Sequence, residues 1–132
     1  MATIRLESKV DAAHFPLTII PIRAEDSDLC MDTKPPRRGS PISMAACHGN
    51  GAGQVFAITD RGEIVASTGC LQAQRRKEAL YSKECTGAGG LQEFRYDTES
   101  KRFLHIRSQL CIRFAGPDHD QQVFLGEFPL HC

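Results

Sequence analysis

Apolar residues in this chain come in short alternating runs, separated by turn residues. Ile4 and Leu6 alternate with polar neighbours, and Val10 could extend that run. Residues 15–22 are β-rich, and Pro16 and Pro21 limit any strand there or confine it to an edge. Leu29-Cys30-Met31, Ile42 to Cys47, and Val55 with Ala57 read as further strands. Ile64-Val65-Ala66, Leu80-Tyr81, Phe94 with Tyr96, Phe103 to Ile106, Cys111-Ile112 and Val123-Phe124-Leu125 follow in the same manner. Asp60-Arg61-Gly62 and the stretch from Asp97 to Ser100 are hairpin signals. No apolar pattern of helical period extends over about ten residues. Many short strands with regular turns predict an all-β sandwich or barrel.

The pattern repeats. Cys30-Met31-Asp32 leads to Cys47-His48-Gly49 and then Gln54-Val55-Phe56. Cys70-Leu71-Gln72 leads to Cys85-Thr86-Gly87 and then Gln92-Glu93-Phe94, and a third copy begins at Cys111-Ile112-Arg113 and stops at Cys132. A period of about forty residues marks a repeat architecture.

Composition narrows the function. A chain of 132 residues is one domain by size. Lys plus Arg equals Asp plus Glu, at 16 each, so there is no long-range pull on nucleic acid or an anionic membrane. No apolar run approaches the roughly 18 residues of a membrane span, and the start Met1-Ala2-Thr3-Ile4-Arg5 lacks a secretory signal. The six cysteines nonetheless point to disulfides and an oxidising compartment, hence the secretory pathway or the extracellular space. The repeat selects the pairs Cys30–Cys47, Cys70–Cys85 and Cys111–Cys132, each closing a loop within its own copy. No Cys-x-x-Cys is present, so no metal site is expected. The glycine-rich turn from His48 to Gly53 is not followed by Lys-Ser/Thr and does not read as a phosphate cradle. Neither Gly-x-Ser-x-Gly nor His-Glu-x-x-His occurs, and His105, His119 and His131 are scattered as solvated loop histidines would be. No catalytic residue and no cofactor is expected.

Three copies of Cys-Leu-Asp … Cys … Gln-x-Trp characterise the ricin-B-type β-trefoil lectins, and this chain resembles a divergent member. Cys-His-Gly ahead of Gln-x-aromatic is similar to the lectin domain of polypeptide N-acetylgalactosaminyltransferases, and Phe in place of Trp also occurs in the mannose-receptor cysteine-rich domain. The resemblance implies a β-trefoil over residues 22–132, with repeats at about 22–60, 61–98 and 99–132 and an N-terminal extension, 1–21. Part of that extension is expected to pair with the open barrel edge, where the last strand of a trefoil would lie. The family pattern makes Gln54, Phe56, Gln92 and Phe94 structural: the rings fill the core and the amides tie down turns.

The resemblance also implies carbohydrate binding. A sugar pocket needs a carboxylate for hydroxyl groups, an aromatic face and an amide. In the first repeat, Asp32 and His48 fall at family positions. Ala45 stands where an aromatic is expected, Gly53 stands where Asn is expected, and Asn50 is the substitute amide. Asp32 would also serve as a turn cap ahead of the proline-rich loop. The second repeat has Gln72, Lys83 and Leu91 at the equivalent positions, with Tyr81 nearby, and the third has Arg113 for the aspartate. The expectation is a non-enzymatic module, such as a non-catalytic domain of a glycosyltransferase. It would bind a glycan or glycoprotein of the galactose or N-acetylgalactosamine class through one site, with no nucleic acid and no membrane insertion. The alternative is a degenerate trefoil acting as a protein-interaction or inhibitor domain, or binding anionic, sulfated glycans. The Arg-bearing loops Lys34 to Pro41 and Gln74 to Glu78 favour that alternative.

Overall fold

The short alternating runs fold as strands because each can bury one face against the others. The computed structural model describes residues 2–6, 17–25, 27–33, 39–49, 51, 53–76, 78–114 and 121–126. They form β1 (Ala2–Leu6), β2 (Leu17–Ile20), β3 (Ile22–Ala24), β4 (Leu29–Asp32), β5 (Ser43–Ala46), β6 (Phe56–Thr59) and β7 (Ile64–Ala66). The chain continues with β8 (Gly69–Gln72), β9 (Tyr81–Lys83), β10 (Phe94–Asp97), β11 (Arg102–His105), β12 (Leu110–Phe114) and β13 (Gln121–Gly126). A 3-10 turn covers Gly90–Gln92, and there is no α-helix among the described residues. Pro21, which has no N–H to give a ladder, separates β2 from β3. Among the described residues β2 is an edge strand that pairs with β6 alone. Val55 does not continue β6 and is exposed just before it, so that strand begins one residue later than its alternation suggests.

One sheet runs β2-β6-β7-β8-β9 and the other β1-β3-β4-β5-β13-β12-β11-β10, with a further β1–β12 pairing. The hairpins β4–β5, β8–β9 and β12–β13 occupy equivalent places in the three repeats. They meet at three buried residues. The Ile42 N–H donates to Leu80 O at 2.8 Å, the Leu80 N–H to Val123 O at 2.8 Å, and the Val123 N–H to Ile42 O at 2.9 Å. This closed cycle defines a pseudo-threefold axis, and the architecture is a β-trefoil. Met31, Leu71 and Ile112, each next to the first cysteine of its repeat, are buried in the same core with Phe56, Phe94 and Phe103.

An N-terminal strand joins the barrel. β1 pairs antiparallel with β3 through Ile4↔Ala24, Arg5↔Arg23 and Leu6↔Ile22. Its other edge pairs with β12 through Ala2↔Phe114 and Thr3↔Arg113. The first and third repeats are thereby bridged by backbone bonds that would otherwise leave two open edges. Val10, Phe15 and Pro16 lie outside the described residues.

His105 corrects an expectation. It is buried in β11 rather than solvated, because its alternation with Phe103 turns it toward the 3-10 turn. Its Nε2–H donates to Leu91 O at 3.0 Å, which leaves Nδ1 to accept from Ser108 Oγ at 2.8 Å. The ring also packs on Phe94 with centroids 5.0 Å apart. Burial pushes its pKa below the ordinary value; the Leu91 carbonyl opposes this and Arg107 adds to it. His119 and His131 lie outside the described residues.

Two outcomes follow. Leu80→Ala should cost about 2–5 kcal/mol in urea denaturation, as a buried large-to-small change does. A loss below about 1 kcal/mol would mean that the core relaxes around the shortened side chain. The second concerns pH. The unfolded His105 takes up a proton near its ordinary pKa of about 6.5, while the folded ring resists it. The stability it contributes is whole above that pH and declines as pH falls below it. His105→Gln should therefore flatten the fall of the urea midpoint between about pH 7 and pH 5. An unchanged slope would assign the fall to other groups.

Candidate functional site

The first repeat is organised by one buried amide. Gln54 follows the glycine-rich turn, where its own N–H donates to Gly51 O at 3.0 Å. Its side-chain Nε2 donates to Asp32 Oδ2 at 3.0 Å and to Ala46 O at 2.9 Å. Its Oε1 accepts the backbone N–H of His48 at 3.2 Å. Gln54 thus brings Asp32, at the end of β4, together with His48, just past β5. The Cys30–Cys47 disulfide, with Cα atoms 5.1 Å apart, clamps the same two strands. Asp32 is only 6% exposed, whereas the His48 residue is exposed. Asn50 lies outside the described residues.

Gly53 explains its own departure from the family asparagine. Its φ is +75°, and a Cβ there would sit 2.7 Å from Asp32 Oδ1. The carboxylate therefore lies against bare glycine backbone, and the Gly53 carbonyl accepts the Thr33 N–H at 3.0 Å. Ala45, directly across from Cys30 in the β4–β5 pair, presents a methyl group where a ring is expected.

The second repeat reproduces the amide device with a different partner. Gln92 Nε2 donates to Gln72 Oε1 at 3.0 Å and to Glu84 O at 2.8 Å, and its Oε1 accepts the Thr86 N–H at 3.1 Å. Gln72 thus takes the acceptor place of Asp32 without its charge. Cys70–Cys85 is bonded, with Cα atoms 5.0 Å apart. Phe56 and Phe94, two residues after the clamping glutamines, are buried in the core. In the third repeat, Arg113 is buried at the aspartate position, and burial and Arg102 hold its pKa below the ordinary value. Cys111 is disulfide-bonded, while Cys132 lies outside the described residues.

Two concavities flank these elements. One, of about 340 Å³, lies behind the glycine-rich turn against Pro21, Arg23, the Cys30–Cys47 disulfide and Val55. The other, of about 120 Å³, lies in the second repeat between Gln72, Gln74, Glu78, Tyr81 and Lys83, with the Lys83 ammonium 5.4 Å from the Tyr81 ring centroid. Neither Asp32 nor His48 lines the larger one, and sequence spacing carried no signal for it. Of the Arg-bearing loops, residues 34–38 lie outside the described residues, and Arg75 pairs with Glu78 at 3.4 Å on the surface. No group of three or more His, Cys, Asp or Glu among the described residues could hold a metal ion.

The contact between Gly53 and Asp32 can be isolated. Gly49 has a similar φ of +70°, but a Cβ there would meet nothing within 4 Å. Gly49→Ala should cost only the left-handed backbone strain, about 1–2 kcal/mol. Gly53→Ala should cost more, because the carboxylate must also shift away from Gln54. Equal losses in urea denaturation would mean that Asp32 moves freely.

The ricin-type beta-trefoil lectin domain model matches residues 18–128. N-acetylgalactosaminyltransferase 7 of Mus musculus is 25% identical over 119 residues, covering 86% of this chain and 18% of its own length. The Homo sapiens protein of that name is 25% identical over 105 residues, covering 80% of this chain and 16% of its own length. This chain therefore spans less than a fifth of these relatives. Among solved structures, the crystal structure of GalNAc-T7 with UDP, GalNAc and Mn2+ gives a TM-score of 0.70 at 23% identity, over 87% of this chain and 21% of that one. The Vibrio vulnificus hemolysin/cytolysin beta-trefoil lectin with N-acetyl-D-lactosamine bound gives a TM-score of 0.56 at 15% identity, over 94% of this chain and 85% of that one. At these identities the two structures speak for the fold alone. With its three cysteine-led repeats, its threefold backbone cycle and a family match spanning nearly all of its length, the chain belongs to the ricin-type β-trefoil lectin domain family.

Proposed function

We propose that this chain is a non-catalytic carbohydrate-binding module that takes a galactose- or N-acetylgalactosamine-type sugar at one site in the first repeat, on Asp32, His48 and Asn50. The observation that carries the reading is the Gln54 amide, bonded at one end to the Asp32 carboxylate and at the other to the His48 backbone. A carboxylate has about four acceptor positions, and Gln54 occupies one, so others can accept sugar hydroxyls. The imidazole of His48 would supply a further donor or acceptor. Ala45 offers no aromatic face, so the affinity should be low, near millimolar or about −4 kcal/mol. Avidity in use would come from further modules or copies. Family membership supports a carbohydrate ligand, and the N-acetylgalactosaminyltransferase relatives suggest the sugar class. Two disulfides support an oxidising, secretory or extracellular setting.

The second-repeat cleft favours a second reading. Its Lys83 ammonium, with the neutral Gln72 and Gln74 amides, suits an anionic sugar such as a sulfated one, although the Glu78 carboxylate on its wall opposes the anion.

Titrating the oxidised protein with N-acetylgalactosamine, followed by amide NMR, separates the two. Saturable shifts at His48, Gly49 and Gln54 with a Kd on the order of millimolar are expected. Asp32→Asn keeps an acceptor for Gln54 but removes the charge, and should weaken binding by about tenfold or more, or roughly 1.4 kcal/mol. No saturable shift in a folded spectrum would sink the first reading. Shifts at Tyr81 and Lys83 that need a sulfated sugar and vanish with salt would move the site to the second repeat.

A further inference from the structure

The glycine-rich turn that begins at His48 borders more than the Asp32 carboxylate. His48 stands between Cys47 and Gly49, and both of those residues line the cavity of about 340 Å³. Gln54 lines it as well. The same Gln54 side chain donates to Asp32 Oδ2 at 3.0 Å and accepts the His48 N–H at 3.2 Å. Asp32 and His48 themselves stay off the lining. The two places are therefore neighbours, joined through one glutamine and one turn.

The cavity has the apolar character that the sugar edge lacks. Along the segment from β2 to β3, Ile20, Ile22 and Ala24 face the core, so the alternation turns Pro21 to the other face. There it shares the lining with the Cys30–Cys47 disulfide and with Val55, which is 37% exposed. Gly49 and Gly51 hold φ of +70° and +84°, and a Cβ on either would meet nothing within 4 Å among the described residues. These two positions give the wall backbone and no bulk. Both Gln54 N–H groups are committed to Asp32 and Ala46. Arg23 also lines the cavity but has its own interaction within the chain, so no ligand charge is assigned to it. A cavity of about 150 Å³ already takes a benzene ring, so a phenyl-sized group has room here.

Resting on the sugar site proposed above, we infer that the first repeat recognises a sugar together with a neutral apolar aglycone. The sugar meets Asp32 and His48, and the aglycone crosses the turn into the cavity, onto Pro21, Val55 and the disulfide. Such a group leaves water for an apolar floor and supplies the contact that Ala45 cannot give the sugar ring.

The probes are the methyl and phenyl glycosides of N-acetylgalactosamine, each as both anomers. They are titrated into the intact oxidised chain and followed by amide NMR. One phenyl anomer should bind about tenfold more tightly than its methyl counterpart, or roughly 1.4 kcal/mol. It should also add shifts at Gly51 and Val55 to those at His48, Gly49 and Gln54. Val55→Asp alters an already exposed residue and should bring the phenyl-to-methyl ratio close to one. If that variant does not fold, the ratio and the added shifts in the parent chain still decide. Asp32→Asn should weaken both glycosides by the same factor, because the sugar anchors the aglycone. Saturable methyl binding with no phenyl preference in either anomer would overturn the inference and leave the sugar site standing. A phenyl preference untouched by Val55→Asp would overturn it as well. So would phenyl binding that survives Asp32→Asn while methyl binding is lost, since the cavity would then act alone. No saturable shift with any of these glycosides would sink the sugar site itself, and the inference with it.

Discussion

Three backbone hydrogen bonds hold the three repeats to one axis. Ile42, Leu80 and Val123 each give an N–H to the next and take one from the previous, so the cycle has no end. All three residues are fully buried, and water cannot replace a missing partner there. Withdrawing one repeat would leave a donor and an acceptor unsatisfied in the core, at about 1–3 kcal/mol for each group. The hairpins β4–β5, β8–β9 and β12–β13 are therefore ordered together, and everything they carry inherits its position from that cycle.

The second organising device is the buried amide after each glycine-rich turn. Gln54 and Gln92 each tie the end of a hairpin to the residue two positions past the first cysteine of the repeat: Asp32 in one case, Gln72 in the other. The device asks only for an acceptor. A carboxylate and an amide oxygen both satisfy it at 3.0 Å, so the clamp forms whether or not the position is charged. That tolerance lets the chemistry of one repeat diverge from its neighbour while the scaffold stays intact. It also means that the carboxylate of Asp32 serves the architecture as well as any ligand, and an isosteric change at Asp32 is more informative than a truncation.

The order of motifs was legible because covalent and core constraints leave marks at fixed spacing. Cysteines that must meet across a hairpin, the apolar residues beside them and the glutamine–x–phenylalanine step recur with the strands they serve. Local residue type misled where the third dimension intervened. His105 reads as a solvated histidine, but the strand turns it inward onto Leu91 O and Ser108. Gly53 reads as a lost asparagine, but the Asp32 carboxylate occupies the space a side chain would need. The guanidinium of Arg23 and the methyls of Val55 lie far apart in sequence and share a wall only because β3 and the glycine-rich turn converge on one disulfide.

The sequence by itself determined the all-β class, the threefold repeat and the pairing of Cys30 with Cys47 and of Cys70 with Cys85, because periodic burial and loop closure act over short stretches of chain. Only the tertiary structure decided what joins the first repeat to the third, which acceptor each clamping glutamine finds, and where space is left open. Those outcomes depend on β1 reaching both β3 and β12, on side chains from distant strands meeting at one amide, and on glycines lining a concavity beside the disulfide. Strand pairing and packing between remote segments have no period along the chain, so no local pattern announces them.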